Sequence, residues 1–148
     1  MILKVKQTFS AAHRLMKHSG LCQNFHGHSW QFVCSFSGKP DCGTGMIADF
    51  SKVKAMIETQ VRRHLDHASI LSKQDPLVHF IHNMSLKMIQ IDGEPTCENL
   101  VQWIWKKIED GLVQSGAGKT LKLESIQLWE SNSSSVLFEG PDEKPKSK

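Results

Sequence analysis

Two histidines two residues apart, His26 and His28, form the strongest chemical pattern in the chain. Residues 26–36 alternate between apolar and polar side chains, which is typical of a half-buried β-strand. Side chains two apart on a strand project from the same face, with Cα atoms about 6.5–7 Å apart, so two imidazoles can converge on one ion. Gly27 leaves room between them. Taken alone, such a pair is more often two strand histidines satisfied by hydrogen bonds.

A third histidine, His13, ends the first predicted strand, residues 3–13, where apolar side chains again alternate with polar ones. An adjacent strand would bring His13 alongside the pair. A catalytic zinc ion takes three protein ligands, at about 2.0–2.1 Å for histidine nitrogen, and keeps one open position. We therefore predict a Zn²⁺ site made of His13, His26 and His28. His79 and His82 are interpreted as loop residues and form a weaker alternative pair.

Cys22 lies four residues before His26 in a polar loop. Near a bound cation the pKa of a thiol falls from about 8.5 towards neutrality, which makes a usable base or nucleophile. The alternatives are a fourth zinc ligand or an inert thiol. Cys34, on the apolar face of a strand, fits the inert thiol better. The four cysteines contain no CxxC pair, so we do not expect a disulfide framework.

Two further carboxylates stand where they could serve chemistry. Asp66 beside His67 is the arrangement in which a carboxylate orients an imidazole for general acid–base catalysis. The alternative is a solvated helix end. Glu130 follows Trp129 at the end of a predicted strand, where it could accept two hydrogen bonds from an amidine-like ligand edge. The alternative is an ordinary surface glutamate.

The elements that must position these residues follow from periodicity and capping. The first helix is capped by Asp49 or Ser51, and its apolar stripe is Val53, Met56, Ile57, Val61 and Leu65. The second helix has Thr96 as its N-cap and Glu98 in its first turn. Two closing strands are predicted at about 121–130 and 134–139, and residues 86–91 are a possible edge strand. The order predicts an α+β fold with helices on one face of an antiparallel sheet.

Composition excludes several classes of protein. The 148 residues are 39% hydrophobic and 22% charged, which indicates one globular domain, placed at residues 1–140. A net charge of +3, evenly spread, does not by itself argue for nucleic acid. We expect no membrane segment, no secretory signal and a cytoplasmic location. The tail 141–148 has nothing to bury and is expected to be disordered.

Six motifs in order resemble the 6-pyruvoyltetrahydropterin synthase family, which includes the 6-carboxytetrahydropterin synthases of the queuosine pathway. The resemblance covers residues 2–139, and Gln102-Trp-Ile-Trp105 is similar to the bacterial queuosine-pathway branch. The motifs are Phe9-Ser-Ala-Ala-His13-Arg-Leu, Cys22-x-x-x-His26-Gly-His28, Gly45-Met-Ile-Ala-Asp49-Phe50, Leu65-Asp66-His67, Pro95-Thr96-Cys-Glu98-Asn99 and Trp129-Glu130.

The resemblance implies a T-fold, in which a four-stranded antiparallel sheet carries two helices on one face. Sheets of neighbouring subunits would join into a barrel, giving a homo-oligomer, usually a hexamer. It also implies roles for the residues above. Zinc would be held by His13, His26 and His28. Cys22 would be the proton acceptor, and Asp66 and His67 would relay the proton. Glu130 would anchor the pterin, and Thr96 and Glu98 would also belong to the substrate-binding residues.

The implied substrate is 7,8-dihydroneopterin triphosphate. We expect a 6-carboxy-5,6,7,8-tetrahydropterin synthase of the preQ0/queuosine pathway, a lyase that releases triphosphate and acetaldehyde. One alternative is 6-pyruvoyltetrahydropterin synthase, which eliminates triphosphate without cleaving a carbon–carbon bond. Another is a non-catalytic pterin-binding zinc protein, but no Cys, His or Asp of the catalytic set is missing. A nucleic-acid-binding zinc module would need paired CxxC/HxxxH spacing, which the sequence lacks.

Overall fold

Two long antiparallel strands form the centre of the sheet. In the computed structural model, which describes residues 1–141, strand β1 (Ile2–His13) pairs with strand β2 (His26–Gly38). The register runs from Ile2↔Ser37 to His13↔His26, so the end of β1 lies beside the beginning of β2. Both predicted strands are confirmed, and their pairing brings the predicted metal ligands to one end of the sheet.

Within residues 1–141 the sheet contains six strands, so the prediction of four has to be corrected. Strands β3 (Ala68–Ser72) and β4 (Met88–Ile91) extend it beyond β1, and β5 (Leu121–Trp129) and β6 (Ser135–Phe138) extend it beyond β2. The order is β4-β3-β1-β2-β5-β6. The four strands β1, β2, β5 and β6 are antiparallel, as predicted, but β3 runs parallel to both β1 and β4. Strand β4 lies at the edge of the sheet, which agrees with the edge strand predicted at residues 86–91.

Strand β3 was not predicted, because it is only five residues long and almost wholly buried, so apolar and polar side chains do not alternate along it. Helix α2 (Leu77–Asn83), which lies between β3 and β4 in the chain, was also missed. His79 and His82 therefore lie on an exposed helix and not in a loop, which corrects the prediction. A start signal was present: Asp75 Oδ1 accepts a hydrogen bond from the Leu77 N–H at 2.8 Å, and Pro76 stands between them.

The two longer helices agree with their predicted caps. Helix α1 covers Phe50–Ile57 and continues through a π-helical stretch, Glu58–Arg62, and a last turn, Arg63–Leu65. Asp49 caps it by accepting from the Ser51 N–H at 2.7 Å. Helix α3 covers Cys97–Gln114, and Thr96 caps it by accepting from the Asn99 N–H.

The core fills the space between α1, α3 and one face of the sheet. It joins the predicted stripes of both helices with the inward side chains of β1, β2 and β5, among them the fully buried Trp30, Phe32 and Phe36. Burying one such side chain stabilises the fold by about 1.5–3 kcal/mol. His13, His26 and His28 continue the series of inward-facing side chains along β1 and β2. The three histidines therefore lie at one end of the apolar core.

Two further findings concern membrane-spanning helices and the C-terminal tail. None of the helices within residues 1–141 has the length and apolar character needed to cross a bilayer. The tail predicted over 141–148 lies, apart from Pro141, outside the described residues.

Candidate metal centre and active site

Three imidazoles converge at the end of the β1–β2 pair, as predicted. His13 is the register partner of His26, and His28 projects from the same face two residues later. The ring centroids are 4.7 Å apart for His13 and His26, 5.1 Å for His13 and His28, and 4.9 Å for His26 and His28. One nitrogen from each ring lies within 4.8 Å of the other two. The set has the number and type of ligands that a catalytic zinc ion takes.

Backbone carbonyls fix the protonation of two of these rings. His13 Nδ1 donates to the Pro95 carbonyl at 2.8 Å, and His26 Nδ1 donates to the Asn24 carbonyl at 2.7 Å. Because a carbonyl only accepts, the hydrogen of each neutral ring is on Nδ1, and Nε2 keeps a lone pair for a metal ion.

The Nε2 atoms of His13 and His28 are buried and have no hydrogen-bond partner within residues 1–141. An unsatisfied buried polar group costs about 1–3 kcal/mol. Hydrogen bonding therefore accounts for only one ring nitrogen of His13. This disfavours the alternative that the histidines are strand residues whose ring nitrogens are all satisfied by hydrogen bonds. A bound cation would engage both orphaned atoms, so the residues fit the zinc ion that was predicted.

The buried aromatic side chain of Trp30 packs against two of the three histidines. Trp30 is fully buried, and its ring meets His13 edge-on at 5.2 Å and His28 at 5.5 Å between centroids. It stacks on Phe9 at 5.9 Å, and its Nε1 donates to the Ala11 carbonyl at 3.3 Å. Burial lowers the pKa of His13 below its ordinary value, although the Pro95 carbonyl and Glu130 oppose this. A lowered pKa favours the neutral imidazole, which is the form that binds a metal ion.

Glu130 lies closer to the histidines than the sequence indicated. Its Oε1 is 3.5 Å from His13 Nε2 and 3.9 Å from His28 Nε2, and the side chain is 33% exposed. The Glu130 N–H donates to the Ser134 carbonyl at 3.3 Å, within the turn between β5 and β6. The carboxylate therefore lies beside the three histidines and remains partly open to a ligand.

The start of α3 lies beside the same carboxylate. Burial raises the pKa of Cys97 to about 12, and the charges of Glu130 and Glu98 add to that effect. Cys97 donates from Sγ to the Leu128 carbonyl at 3.5 Å, which ties the helix to β5. Thr96 uses its Oγ1 as the acceptor of the helix cap, so its hydroxyl hydrogen is left to donate to a ligand.

Cys22 lies in the loop that joins β1 to β2. It is half-buried in a short 3₁₀ turn, Leu21–Gln23, and its carbonyl accepts from the Leu15 N–H at 2.8 Å. Its thiol makes no hydrogen bond with any described residue. Cys34 is fully buried, and burial raises its pKa well above the ordinary value, as expected for an inert thiol.

Asp66 and His67 form a second, separate cluster. His67 Nδ1 is 3.3 Å from Asp66 Oδ1, and Asp66 also accepts from the Ser10 N–H at 3.0 Å. His67 helps to line a surface depression together with Ser10, Gly27, His28 and Ser29. Ser10, Gly27 and Ser29 alternate with the candidate metal ligands along β1 and β2, so their side chains belong to the outer face of the sheet. Within the described part of one chain, no hydrogen bond or ion pair links this cluster to Cys22.

Sequence reasoning missed one member of that cluster. Arg62 Nη2 donates to Asp66 Oδ2 at 2.9 Å. The Ser10 N–H lowers the pKa of Asp66, and Arg62 and His67 lower it further, although burial opposes them. The four-residue spacing of Arg62 and Asp66 on a helix was the signal that could have found this pair.

Comparison with known proteins assigns the chain to a family. Residues 2–141 match the family described as 6-pyruvoyl tetrahydropterin synthase. A relative named 6-carboxy-5,6,7,8-tetrahydropterin synthase, from Synechocystis sp., is 32% identical over 138 residues, which cover 90% of this chain and 89% of the relative. A Haemophilus influenzae protein of the same name is 26% identical over 134 residues, 86% of this chain and 90% of that protein.

One relative carries the other activity name, and two solved structures share the fold. The Drosophila melanogaster 6-pyruvoyl tetrahydrobiopterin synthase is 28% identical, covering 92% of this chain and 77% of that protein. The structure of Caenorhabditis elegans 6-pyruvoyl tetrahydropterin synthase has a TM-score of 0.71 at 22% identity, covering 95% and 96% of the two chains. The Plasmodium falciparum enzyme also gives 0.71, at 17% identity, covering 93% and 96%. These two structures share the fold, and together with the sequence match they confirm the resemblance: the chain belongs to the 6-pyruvoyl tetrahydropterin synthase family.

Proposed function

We propose that the protein is a zinc-dependent 6-carboxy-5,6,7,8-tetrahydropterin synthase that converts 7,8-dihydroneopterin triphosphate and releases triphosphate and acetaldehyde. The observation that carries the proposal is the pair of buried Nε2 atoms of His13 and His28 beside His26, neither of which has a hydrogen-bond partner within residues 1–141. The bacterial relatives that bear this name support the choice of product. The Drosophila relative favours 6-pyruvoyltetrahydropterin synthase as the second candidate.

The metal would be held by His13, His26 and His28 through their Nε2 atoms. When bound, zinc acts as a Lewis acid that acidifies the hydroxyl groups of the substrate side chain. The Pro95 and Asn24 carbonyls keep two of the rings in the tautomer that leaves Nε2 free. Trp30 excludes water from beneath the ligands.

Substrate binding is assigned to Glu130, Thr96 and Glu98. Glu130 presents a partly exposed carboxylate, which would accept hydrogen bonds from the N–H groups of the pterin. Thr96 and Glu98 stand at the first turn of α3, next to the same carboxylate. Holding the ring fixes where its side chain falls relative to the metal ligands, which lowers the entropic part of the barrier.

Proton transfer is assigned to Cys22, His67 and Asp66. Cys22 would take a proton from the substrate side chain, and His67, oriented by Asp66, would accept and return protons at its Nε2. Because the Asp66–His67 cluster and the metal ligands project from different faces of one sheet, we propose that a neighbouring copy supplies the cluster. The edge strands β4 and β6 are available for pairing between copies. The proposed state is a homo-oligomer, with a hexamer as the expectation from the resemblance.

Product identification tests the proposal. Zinc-loaded protein is incubated with 7,8-dihydroneopterin triphosphate, and pterins and acetaldehyde are identified by mass spectrometry. Acetaldehyde with a carboxypterin in equal amounts supports the carboxy synthase. A diketo side chain without acetaldehyde assigns the pyruvoyl synthase instead. The absence of both products from zinc-loaded protein that binds the pterin would identify a non-catalytic binding protein.

A further inference from the structure

Arg62 lies in the π-helical stretch of α1 and engages three different groups. Its Nε donates to the Thr8 carbonyl at 2.9 Å, and its Nη1 lies 3.1 and 3.2 Å from the two Glu58 carboxylate oxygens. Its Nη2 donates to Asp66 Oδ2 at 2.9 Å. Every nitrogen of the guanidinium therefore has a partner, on the sheet, on its own helix and on Asp66. Single π-helical turns inside α-helices are frequent at functional sites.

The carboxylate of Asp66 is held at both oxygens. Oδ2 receives the guanidinium of Arg62, whereas Oδ1 accepts from the Ser10 N–H and faces His67 Nδ1. The Ser10 contact alone fixes one oxygen and leaves the carboxylate free to turn about it. The Arg62 contact fixes the plane of the group, so it determines which lone pair meets the imidazole.

His67 depends on Asp66 for its orientation. The side chain is 83% exposed, and the contact with Asp66 is its only hydrogen-bonding or ion-pair contact with described residues. Its backbone is fixed differently: φ is +59°, and the N–H donates to the Ser10 carbonyl at 2.6 Å. A left-handed conformation at a residue other than glycine costs of order 1–3 kcal/mol, and such residues cluster at active sites.

We propose that Arg62 is a positioning residue for His67: through Asp66 it holds the imidazole with its hydrogen on Nδ1 and its Nε2 free for proton transfer. The expected effect of Arg62 on turnover rests on the function proposed above, whereas the expected orientation of the His67 ring does not depend on that function. Neither Arg62 nor Glu58 belongs to the predicted site.

The orientation is tested first, without substrate. Protein labelled with ¹⁵N-histidine is compared with Arg62→Gln, and the His67 signals are assigned from their loss in His67→Gln. The ¹⁵N shifts report which ring nitrogen carries the hydrogen. We expect the Nδ1-protonated form in the parent and a shift towards Nε2 protonation in Arg62→Gln. The control Arg63→Gln removes an exposed charge on the same helix and should leave the His67 signals unchanged. Unchanged His67 signals in Arg62→Gln would overturn the proposal.

Turnover provides the second readout. In Arg62→Gln we expect kcat to fall about tenfold while KM changes less than about twofold, the pattern of a lost contribution to the chemical step. Arg62→Lys should recover part of kcat, because a point charge can bind Asp66 but cannot reach Thr8 and Glu58 as well. A raised KM with unchanged kcat, or a lowered melting temperature with unchanged kcat, would contradict the positioning role. If the parent protein forms no product, the proposed function fails, and the ¹⁵N shifts still decide the orientation.

Discussion

His13 and Pro95 are joined by a hydrogen bond of 2.8 Å between the imidazole Nδ1 and the carbonyl oxygen, across 82 positions of sequence. The bond connects the metal end of β1 to the turn that starts α3. The same turn carries Thr96 and leads to Glu98, so the orientation of one candidate metal ligand and the placement of the proposed substrate-binding turn are set together.

The metal assignment predicts that His26→Ala and His28→Ala each lose zinc, because two imidazoles do not complete a catalytic site. Atomic absorption of the purified variants measures the stoichiometry, with one zinc ion per chain expected in the parent. His79→Ala is the matched control, since His79 is exposed on α2 and outside the cluster. Full zinc content in both variants would remove the assignment.

The catalytic assignment predicts that Cys22→Ala and His67→Ala each lower turnover by roughly 100-fold or more, the usual scale of general acid–base catalysis. Zinc content should not change, because neither residue is a ligand in the cluster. Cys34→Ala is the control for the first variant and should lose only some packing, since that thiol is buried in the core. An inactive Cys34→Ala beside an active Cys22→Ala would reverse the two roles.

The substrate-binding assignment predicts that Glu130→Gln weakens pterin binding. The variant keeps the shape of the side chain but replaces one acceptor oxygen with a donor. We expect Kd to rise at least about tenfold, or about 1.4 kcal/mol. Pterin titration measures this effect, while sedimentation and metal analysis should show unchanged assembly and zinc. Unchanged affinity in an intact Glu130→Gln oligomer would refute the role, and an active monomer would refute a site between copies.

A buried ion pair predicts a pH-dependent contribution to stability. Asp75 is 2% exposed and receives Arg14 at 2.6 and 2.8 Å. Burial raises the pKa of Asp75, but the bonds from Arg14 and the Leu77 N–H outweigh it, so the pKa is lowered from its ordinary 3.8. The stabilisation is therefore complete above the unfolded-state pKa and is lost as the pH falls through the folded-state pKa.

Urea unfolding of Asp75→Asn tests this prediction. At pH 7 we expect a loss towards the lower end of about 3–5 kcal/mol, because Arg14 is partly exposed and screened by water. Near pH 3 the difference from the parent should shrink. Glu109→Gln, which removes an exposed carboxylate on α3, is the control. A difference that stays constant between pH 7 and pH 3 would contradict the ionic origin of the effect.

The sequence predicts well those parts of the fold that repeat with a regular period. The alternation along β1 and β2 and the helical stripe around Ile57 and Ile104 gave the correct elements, because each is an amphipathic element that packs against one core. The same alternation placed the three histidines on one face. Strand β3 and helix α2 were missed because a short buried strand and a seven-residue helix have no repeated pattern.

Contacts between distant segments could not be predicted from the sequence. The bond from His13 to Pro95 and the closeness of Glu130 to the histidines arise from tertiary packing, and no local spacing encodes them. The separation of Asp66 and His67 from Cys22 has the same cause. It depends on β3 pairing parallel to the end of β1, which puts the preceding turn on the outer face of the sheet.

The register of β1 and β2 has a consequence for biosynthesis. The three candidate metal ligands are made early: all lie between positions 13 and 28, on two consecutive antiparallel strands joined by residues 14–25. Pro95 leaves the ribosome about 70 residues later, which at ordinary synthesis rates is between about 3 and 15 s. The nascent chain therefore carries all three histidines seconds before the segment that fixes the His13 ring is made, so the order of synthesis would allow a metal ion to bind before the fold is complete.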